Sequence, residues 1–159
     1  MVRHPPVINP PGDTLCDVLR WRAEHQPDQT AYMFLRDGGS SGVGLTYRDL
    51  DTRARTIAGY LQSRMTPGER LLLVYPPGLE FVQSFWGALY AGLIAVPVPP
   101  PDAFRVKSGA SRVQGIIQDA GAVGAFTTST ILKTLQSQNQ LPSLGQWLSI
   151  EDTALASAS

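Results

Sequence analysis

The side chains that could move a proton near neutral pH are few in this sequence, and they stand apart. His4 and His25 are its two histidines, and imidazole is the one side chain whose ordinary pKa lies in that range. His4 sits in a proline-rich opening. His25 closes a helical segment, where a cation simply favours the helix dipole. Cys16 is the single cysteine. It has no neighbouring base and reads as a small buried side chain. With no partner for a disulfide and no cysteine or histidine motif for zinc, it suggests a reducing compartment. No serine lies in a GxSxG elbow. Asp119, Glu80, Glu151 and Asp152 are scattered and suggest no paired acid/base site. Lys107 and Lys133 each stand alone. No histidine and carboxylate group has metal-ligand spacing. The residues themselves therefore assign no catalytic, cofactor-binding or metal-binding position.

The glycine-rich stretch Asp37 to Gly44, DGGSSGVG, invites a phosphate-loop reading. It lacks GxxxxGK[ST] and GxGxxG, and no clear apolar helix starts at its last glycine. A hairpin loop between two strands explains it better. Thirteen basic and thirteen acidic residues cancel. With no basic block, nothing draws the chain to nucleic acid or to anionic lipid. No apolar signal segment opens it. Phe85 to Val98, the most apolar stretch, is shorter than the roughly 20 residues of a membrane span and is broken by glycine and proline. A cytoplasmic chain without a membrane span is the expectation.

The elements that would carry these residues follow from periodicity. Residues 1–12 form a flexible proline-rich lead-in. Asp13 or Thr14 caps a helix with the stripe Leu15, Val18, Leu19 and Arg22, ended by Gln26-Pro27. Ala31 to Arg36 reads as a strand, and a second short strand runs into Leu45. Thr46 and Asp49 make a capping box with Asp in place of Glu. The helix they open has the stripe Leu50, Ala54, Ile57, Ala58, Leu61 and Met65, with Asp51, Arg53, Arg55 and Gln62 on a solvated face.

Arg70 to Pro101 is a strand–helix–strand unit. Leu71 to Val74 is a continuous apolar run, as in a parallel sheet covered on both faces. After Pro76-Pro77-Gly78 comes a helix with the stripe Phe81, Val82, Phe85, Trp86 and Leu89, ended by Gly92. Ile94 to Val98 reads as a second buried strand, and the run Pro97 to Pro101 forces an extended exit. Asp102 to Gly109 reads as a loop. Ser108 or Ser111 then caps a helix with Val113, Ile116, Ile117 and Ala120, ended by Gly121. Val123 to Thr127 is a third parallel strand. Ser129 caps a helix bearing Ile131, Leu132 and Leu135. Trp147 to Ile150 is a fourth short strand, and residues 151–159 fray. The fold class is α/β: a partial doubly wound, mostly parallel sheet with flanking helices, preceded by a helix and a β-hairpin.

Three segments also carry a resemblance. Leu45 to Leu50, LTYRDL, is similar to the first core motif of adenylate-forming enzymes, and Leu89 to Pro97, LYAGLIAVP, to their second. VYPPGLEFVQSFWGALYAGLIAVPVPPP resembles the fatty acyl-AMP ligase branch, including loading modules of polyketide synthases. RVQGIIQDAGAVGAFTTSTIL continues the match in order. The resemblance covers residues 13–150 and implies the N-terminal portion of an AMP-binding, adenylation domain. It implies an intact enzyme that uses ATP and Mg²⁺ to make an acyl-adenylate from a fatty acid, then passes the acyl group to an acyl carrier protein.

The family's Ser/Thr/Gly-rich phosphate loop, its later adenine, ribose and Mg²⁺ motifs and its C-terminal lysine domain have no counterpart here. No catalytic residue is therefore carried over. The matched motifs read as structural: Thr46 and Asp49 start a helix, Gly92 ends one, and Pro97 to Pro101 steer the chain off the sheet. That run also has room in an acyl or pantetheine path. The expected partners are the fatty acid, the acyl carrier protein and a missing downstream polypeptide. Taken alone, the chain is expected to be inactive and prone to association. Other parents are an acyl-CoA synthetase or an amino-acid adenylation domain. A different class is a non-catalytic interaction module on the same scaffold. A dinucleotide-binding domain fits less well, because the turn after Val74 is YPPG.

Overall fold

The computed structural model describes residues 10–35, 42–100 and 106–156. His4, Arg36, the centre of the glycine-rich turn and Pro101 lie outside them. The chain opens with α1 (Leu15–His25), then β1 (Thr30–Leu35), β2 (Gly42–Thr46) and α2 (Tyr47–Gln62). Strand and helix then alternate through β3 (Arg70–Val74), α3 (Leu79–Tyr90), β4 (Ile94–Val98), α4 (Val106–Ala120), β5 (Gly124–Thr127), α5 (Ser129–Ser137), β6 (Gln146–Ser149) and α6 (Asp152–Ala156). β1 and β2 pair antiparallel as a ribbon, and the other four strands form a parallel sheet in the order β4-β3-β5-β6. This is the expected α/β architecture.

β3 lies inside the sheet, and its apolar run has a direct cause. Leu71, Leu73 and Tyr75 face α2 and α3, while Leu72 and Val74 face α4. Alternate residues of a strand point to opposite faces, so a strand covered on both sides must be apolar throughout. All four residues from Leu71 to Val74 are fully buried. Each such side chain contributes about 1.5–3 kcal/mol relative to exposure. A second core, Leu19, Leu45, Leu50, Ala54 and Trp86, lies where α1 and the ribbon meet α2 and α3.

The helix starts are chemical. Thr46 Oγ1 accepts from the Asp49 backbone N–H at 3.1 Å, and the Asp49 carboxylate accepts back from the Thr46 hydroxyl at 2.8 Å. Thr14 and Asp17 repeat the arrangement at α1, so Thr14 is the cap and not Asp13. Thr128 caps α5 in place of the expected Ser129. The α3 end is also as expected. Gly92 takes φ +77°, and Leu93 N donates to Ala88 O at 2.9 Å.

Several expectations are corrected. Leu15 is exposed, because α1 has only Leu19 fully under the protein. β4 is an edge strand with Ile94 exposed, so it is not buried on both faces. Pro97 stands in it, as an edge tolerates. α4 begins at Val106 rather than after Gly109, and Val106 lies seven residues ahead of Val113, in phase with the apolar repeat. The tail does not fray at residues 152–156: they form α6, with Thr153 buried and Tyr60 Oη donating to Asp152 at 3.4 Å. Asp51 is not merely solvated. It accepts from Tyr90 Oη and from Arg55 Nε, each at 2.7 Å, and so ties α2 to α3.

Of the stripe expected on α3, Trp86 is buried. Phe81, Val82, Phe85 and Leu89 are half-buried on its flanks, while Gln83, Ser84, Gly87 and Ala88 are buried. Small side chains let α3 approach α2 closely, and a Cβ built on Gly87 would stand 2.3 Å from Ile57 Cγ2. Gly87→Ala is therefore expected to lower unfolding free energy by about 1–3 kcal/mol. Gly59→Ala, on the open face of α2 with nothing within 4 Å, should raise it by up to about 1 kcal/mol. Urea unfolding of the two variants measures both.

Thr46→Ala should cost about 1 kcal/mol in the same experiment. Its pH dependence has a definite sign. The Thr46 hydroxyl, and then its backbone N–H, hold the Asp49 carboxyl below its ordinary pKa. A depressed folded pKa gives stability that is present above the unfolded value and lost as pH falls through the folded one. The gap between wild type and Thr46→Ala should thus shrink on acidification below about pH 4.

Candidate functional site

The chain leaves β3 for β4 on one side and leaves β5 for β6 on the other. Neighbouring strands whose outgoing connections diverge leave a crevice at their carboxyl ends, where open α/β sheets hold ligands. That place lies at Val74–Tyr75 and Thr127–Thr128. Here it is filled by protein. Ser84 Oγ donates to Tyr75 Oη at 2.9 Å, and Tyr75 Oη donates to the Thr127 carbonyl at 3.1 Å. Thr127 Oγ1 donates to the Val74 carbonyl at 2.6 Å. Burial drives the Tyr75 hydroxyl far above its ordinary pKa, so it stays a neutral donor. This chain of bonds clamps β3 to β5 and seats the middle of α3 on both. Apolar contact reinforces it, with the Phe126 ring edge-on to Tyr75 at 6.2 Å between centroids.

Beside the clamp, a cavity of about 390 Å³ opens between α2, the start of α3 and the β6–α6 corner. Ile57, Gln83 and Thr153 are its buried walls, and Arg53, Glu80 and Glu151 stand exposed at its rim. The Glu151 carboxylate accepts from Ser129 N at 2.8 Å, at the start of α5. A carboxamide, two carboxylates and a guanidinium can position a polar group.

Glu80 and Glu151, scattered in the sequence, are thus brought to one cavity, with Asp152 adjacent. No local pattern could have shown this, because the two come together only through the β3–β5–β6 pairing. The other candidates stay apart. His25 is exposed at the end of α1, its ring stacked on Trp21 at 4.4 Å and its Nδ1 2.9 Å from the Trp21 carbonyl. Cys16 is half-buried in α1, and burial raises its thiol pKa more than nearby Arg20 lowers it. A neutral thiol is a poor nucleophile. Asp119 and Lys133 are exposed on α4 and α5. Among the described residues no group of three His, Cys, Asp or Glu is placed to hold a metal ion, and no helix is long and apolar enough to cross a membrane.

The clamp gives a direct test of this edge. Tyr75→Phe leaves the buried Thr127 carbonyl and Ser84 hydroxyl without their partner. It should lower unfolding free energy by about 1–3 kcal/mol. Ser84→Ala, which removes only the outer member, should cost less. Urea titrations of both variants provide the comparison.

Comparison with known proteins places this geometry. The family model for AMP-binding enzymes matches residues 19–158. The medium-chain-fatty-acid–acyl-carrier-protein ligase JamA of Moorena producens is 41% identical over 142 residues, 89% of this chain and 23% of that protein. The zebrafish (Danio rerio) Disco-interacting protein 2 homolog B-A is 36% identical over 143 residues, 87% of this chain and 9% of that protein. A crystal structure of fatty acid AMP ligase from Legionella pneumophila superposes with a TM-score of 0.76 at 32% identity, covering 91% of this chain and 25% of that one. The chain therefore spans about a quarter or less of each of these three relatives.

Proposed function

The chain belongs to the AMP-binding enzyme family, and on that premise we propose that it is the opening portion of a fatty acyl-AMP ligase. The observation that carries this reading is the 41% identity, along 89% of the chain, to a ligase of fatty acid and acyl carrier protein. The Legionella fatty acid AMP ligase supports it independently through its fold. Residues 13–150 are then the N-terminal portion of the adenylation domain, with α6 continuing it.

In the intact enzyme, the fatty acid carboxylate attacks the α-phosphorus of ATP. The bond to pyrophosphate breaks, and an acyl-adenylate forms. Attack by the carrier-protein thiol on the acyl carbon then releases AMP. The family uses ATP, typically with Mg²⁺. The described residues fit neither group closely: they offer no three-ligand carboxylate or histidine cluster, and the carboxyl-edge crevice is filled by Tyr75. This portion therefore contributes scaffold. The Tyr75–Ser84–Thr127 clamp, the two-sided burial of β3 and the capped helices fix the frame on which the reacting groups of the whole enzyme are held. Its partners are a fatty acid, an acyl carrier protein and the rest of the ligase polypeptide, in the cytoplasm.

A second reading draws on the 36% identity to a Disco-interacting protein 2 homolog: a non-catalytic interaction module built on the same scaffold.

The 159-residue chain should show no ATP–pyrophosphate exchange with medium-chain fatty acid. Charge developing at phosphorus needs positioned donors or cations, and the cavity beside the clamp sets its one guanidinium, Arg53, among the carboxylates of Glu80 and Glu151. Exchange above the no-enzyme blank by the purified chain would overturn the scaffold assignment. Exchange that depends on an amino acid instead of a fatty acid would overturn the fatty acyl one.

A further inference from the structure

The cavity between α2, α3 and the β6–α6 corner holds one side chain that the fold does not explain. Gln83 is 8% exposed and forms part of the cavity wall. Its carboxamide has no hydrogen-bond partner among the described residues. Buried polar side chains are nearly always satisfied, and an exception calls for a partner from outside the chain. The rest of this edge obeys the rule. Ser84, the next residue, donates to Tyr75, and Tyr75 donates to the Thr127 carbonyl. Ser84 belongs to the frame, whereas Gln83 opens on the cavity.

The charges around Gln83 are also left apart. Arg53 comes from α2, Glu80 from the first turn of α3 and Glu151 from the β6–α6 corner, and all three stand exposed at the rim. The ion pairs among the described residues are Arg20–Asp17, Arg48–Asp28 and Arg55–Asp51. Arg53 thus shares a cavity with two carboxylates and closes an ion pair with neither. Arg55, two residues on, shows the alternative, with its Nε 2.7 Å from Asp51. One oxygen of Glu151 accepts from Ser129 N at 2.8 Å, at the start of α5. The dipole of that helix offsets its charge. Arg53 and Glu80 remain as one unmatched charge of each sign.

We propose that this cavity binds a small zwitterion, an α-amino acid whose side chain ends in a carboxamide. The assignment follows by matching groups. The Arg53 guanidinium takes the carboxylate, which its paired N–H groups suit. Glu80, with the remaining oxygen of Glu151, takes the ammonium. The Gln83 carboxamide both donates and accepts, so it pairs with a second carboxamide. Ile57 and Ile150 supply an apolar wall for the short carbon chain between these groups. At about 390 Å³ the cavity stands at the lower end of the roughly 300–1,000 Å³ usual for ligand sites. A bare cation would be opposed by Arg53, and a bare anion would meet two carboxylates. The inference stands apart from the ligase reading, since it involves no acyl or phosphate group and no reaction.

Titration of the isotope-labelled 159-residue chain with L-glutamine, followed by amide chemical shifts, tests it. The expected result is a saturable shift, with Kd of about 1 mM or tighter, confined to α2, the start of α3 and the β6–α6 corner. 4-Aminobutanamide lacks the carboxylate and glutaramate lacks the ammonium. Each should bind at least roughly tenfold more weakly. Arg53→Met and Glu80→Gln, at exposed positions, should each weaken glutamine binding by a similar factor. Gln83→Met keeps the volume of the side chain and should erase the preference for L-glutamine over L-norleucine.

The proposal is overturned by the absence of a saturable shift up to about 10 mM ligand, which would leave water as the only occupant. Equal binding of the three ligands, or binding indifferent to Arg53→Met and Glu80→Gln, would overturn it too. Loss of glutamine binding on addition of the remaining polypeptide of the Legionella ligase, with the matched quarter removed, would give the cavity to that polypeptide and also overturn it.

Discussion

The burial of β3 on both faces is the constraint from which the rest of the structure follows. Leu71 to Val74 have no exposed surface. A strand of that kind cannot exist at a solvated face, so helices must cover both sides of it. α2 and α3 do so on one side and α4 on the other. Covering helices on two faces require the crossovers that make the sheet parallel. The parallel sheet in turn creates a carboxyl edge, where β3 and β5 send their connections in opposite directions. In this way one apolar run in the sequence sets the layers, the strand order and the place where a ligand crevice would open.

What occupies that edge decides the functional reading. In this chain the crevice is closed by Tyr75, whose hydroxyl is held by Ser84 and the Thr127 carbonyl. Such a buried phenol stays protonated and stitches strands together. The polar residues next to it face a small cavity, and Arg53, Glu80 and Glu151 at its rim supply charge. The molecule has the frame of an AMP-binding enzyme and spans about a quarter of the ligases it resembles. Frame and chemistry are thus separable in sequence. One quarter can carry the family's core motifs as capping and turn residues, with Thr46, Asp49 and Gly92 starting and ending helices.

Much of this was legible residue by residue. The α2 stripe from Leu50 to Leu61, its capping box, the apolar run of β3, the turn at Gly92 and the strand–helix alternation all stand where local pattern puts them, while Met65, expected on the same stripe, lies past the helix end at Gln62. Local pattern suffices there because capping and amphipathic burial involve neighbours in sequence. It failed where the answer depended on a distant partner. Hydrophobicity alone marks Phe81 and Phe85 as the core face of α3. The close approach of α2 at Gly87 instead selects small residues, and only the packed pair reveals that. β4 reads as fully buried, yet its place at the edge is a property of strand order. α6 reads as a tail because its anchor on α2, Tyr60, is not its sequence neighbour. The meeting of Glu80 with Glu151 was invisible for the same reason.

On the proposed reading this chain supplies the frame of a fatty acid-activating enzyme, and the reacting groups lie outside the portion matched here. It is tested most directly by transplantation. The matched quarter of the Legionella fatty acid AMP ligase is replaced by residues 13–156 of this chain, and acyl-adenylate formation from fatty acid and ATP is measured. The account predicts a folded chimera that makes acyl-adenylate with the fatty acid preference of the parent ligase. A folded chimera that makes none, or one whose fatty acid preference has shifted, would contradict it.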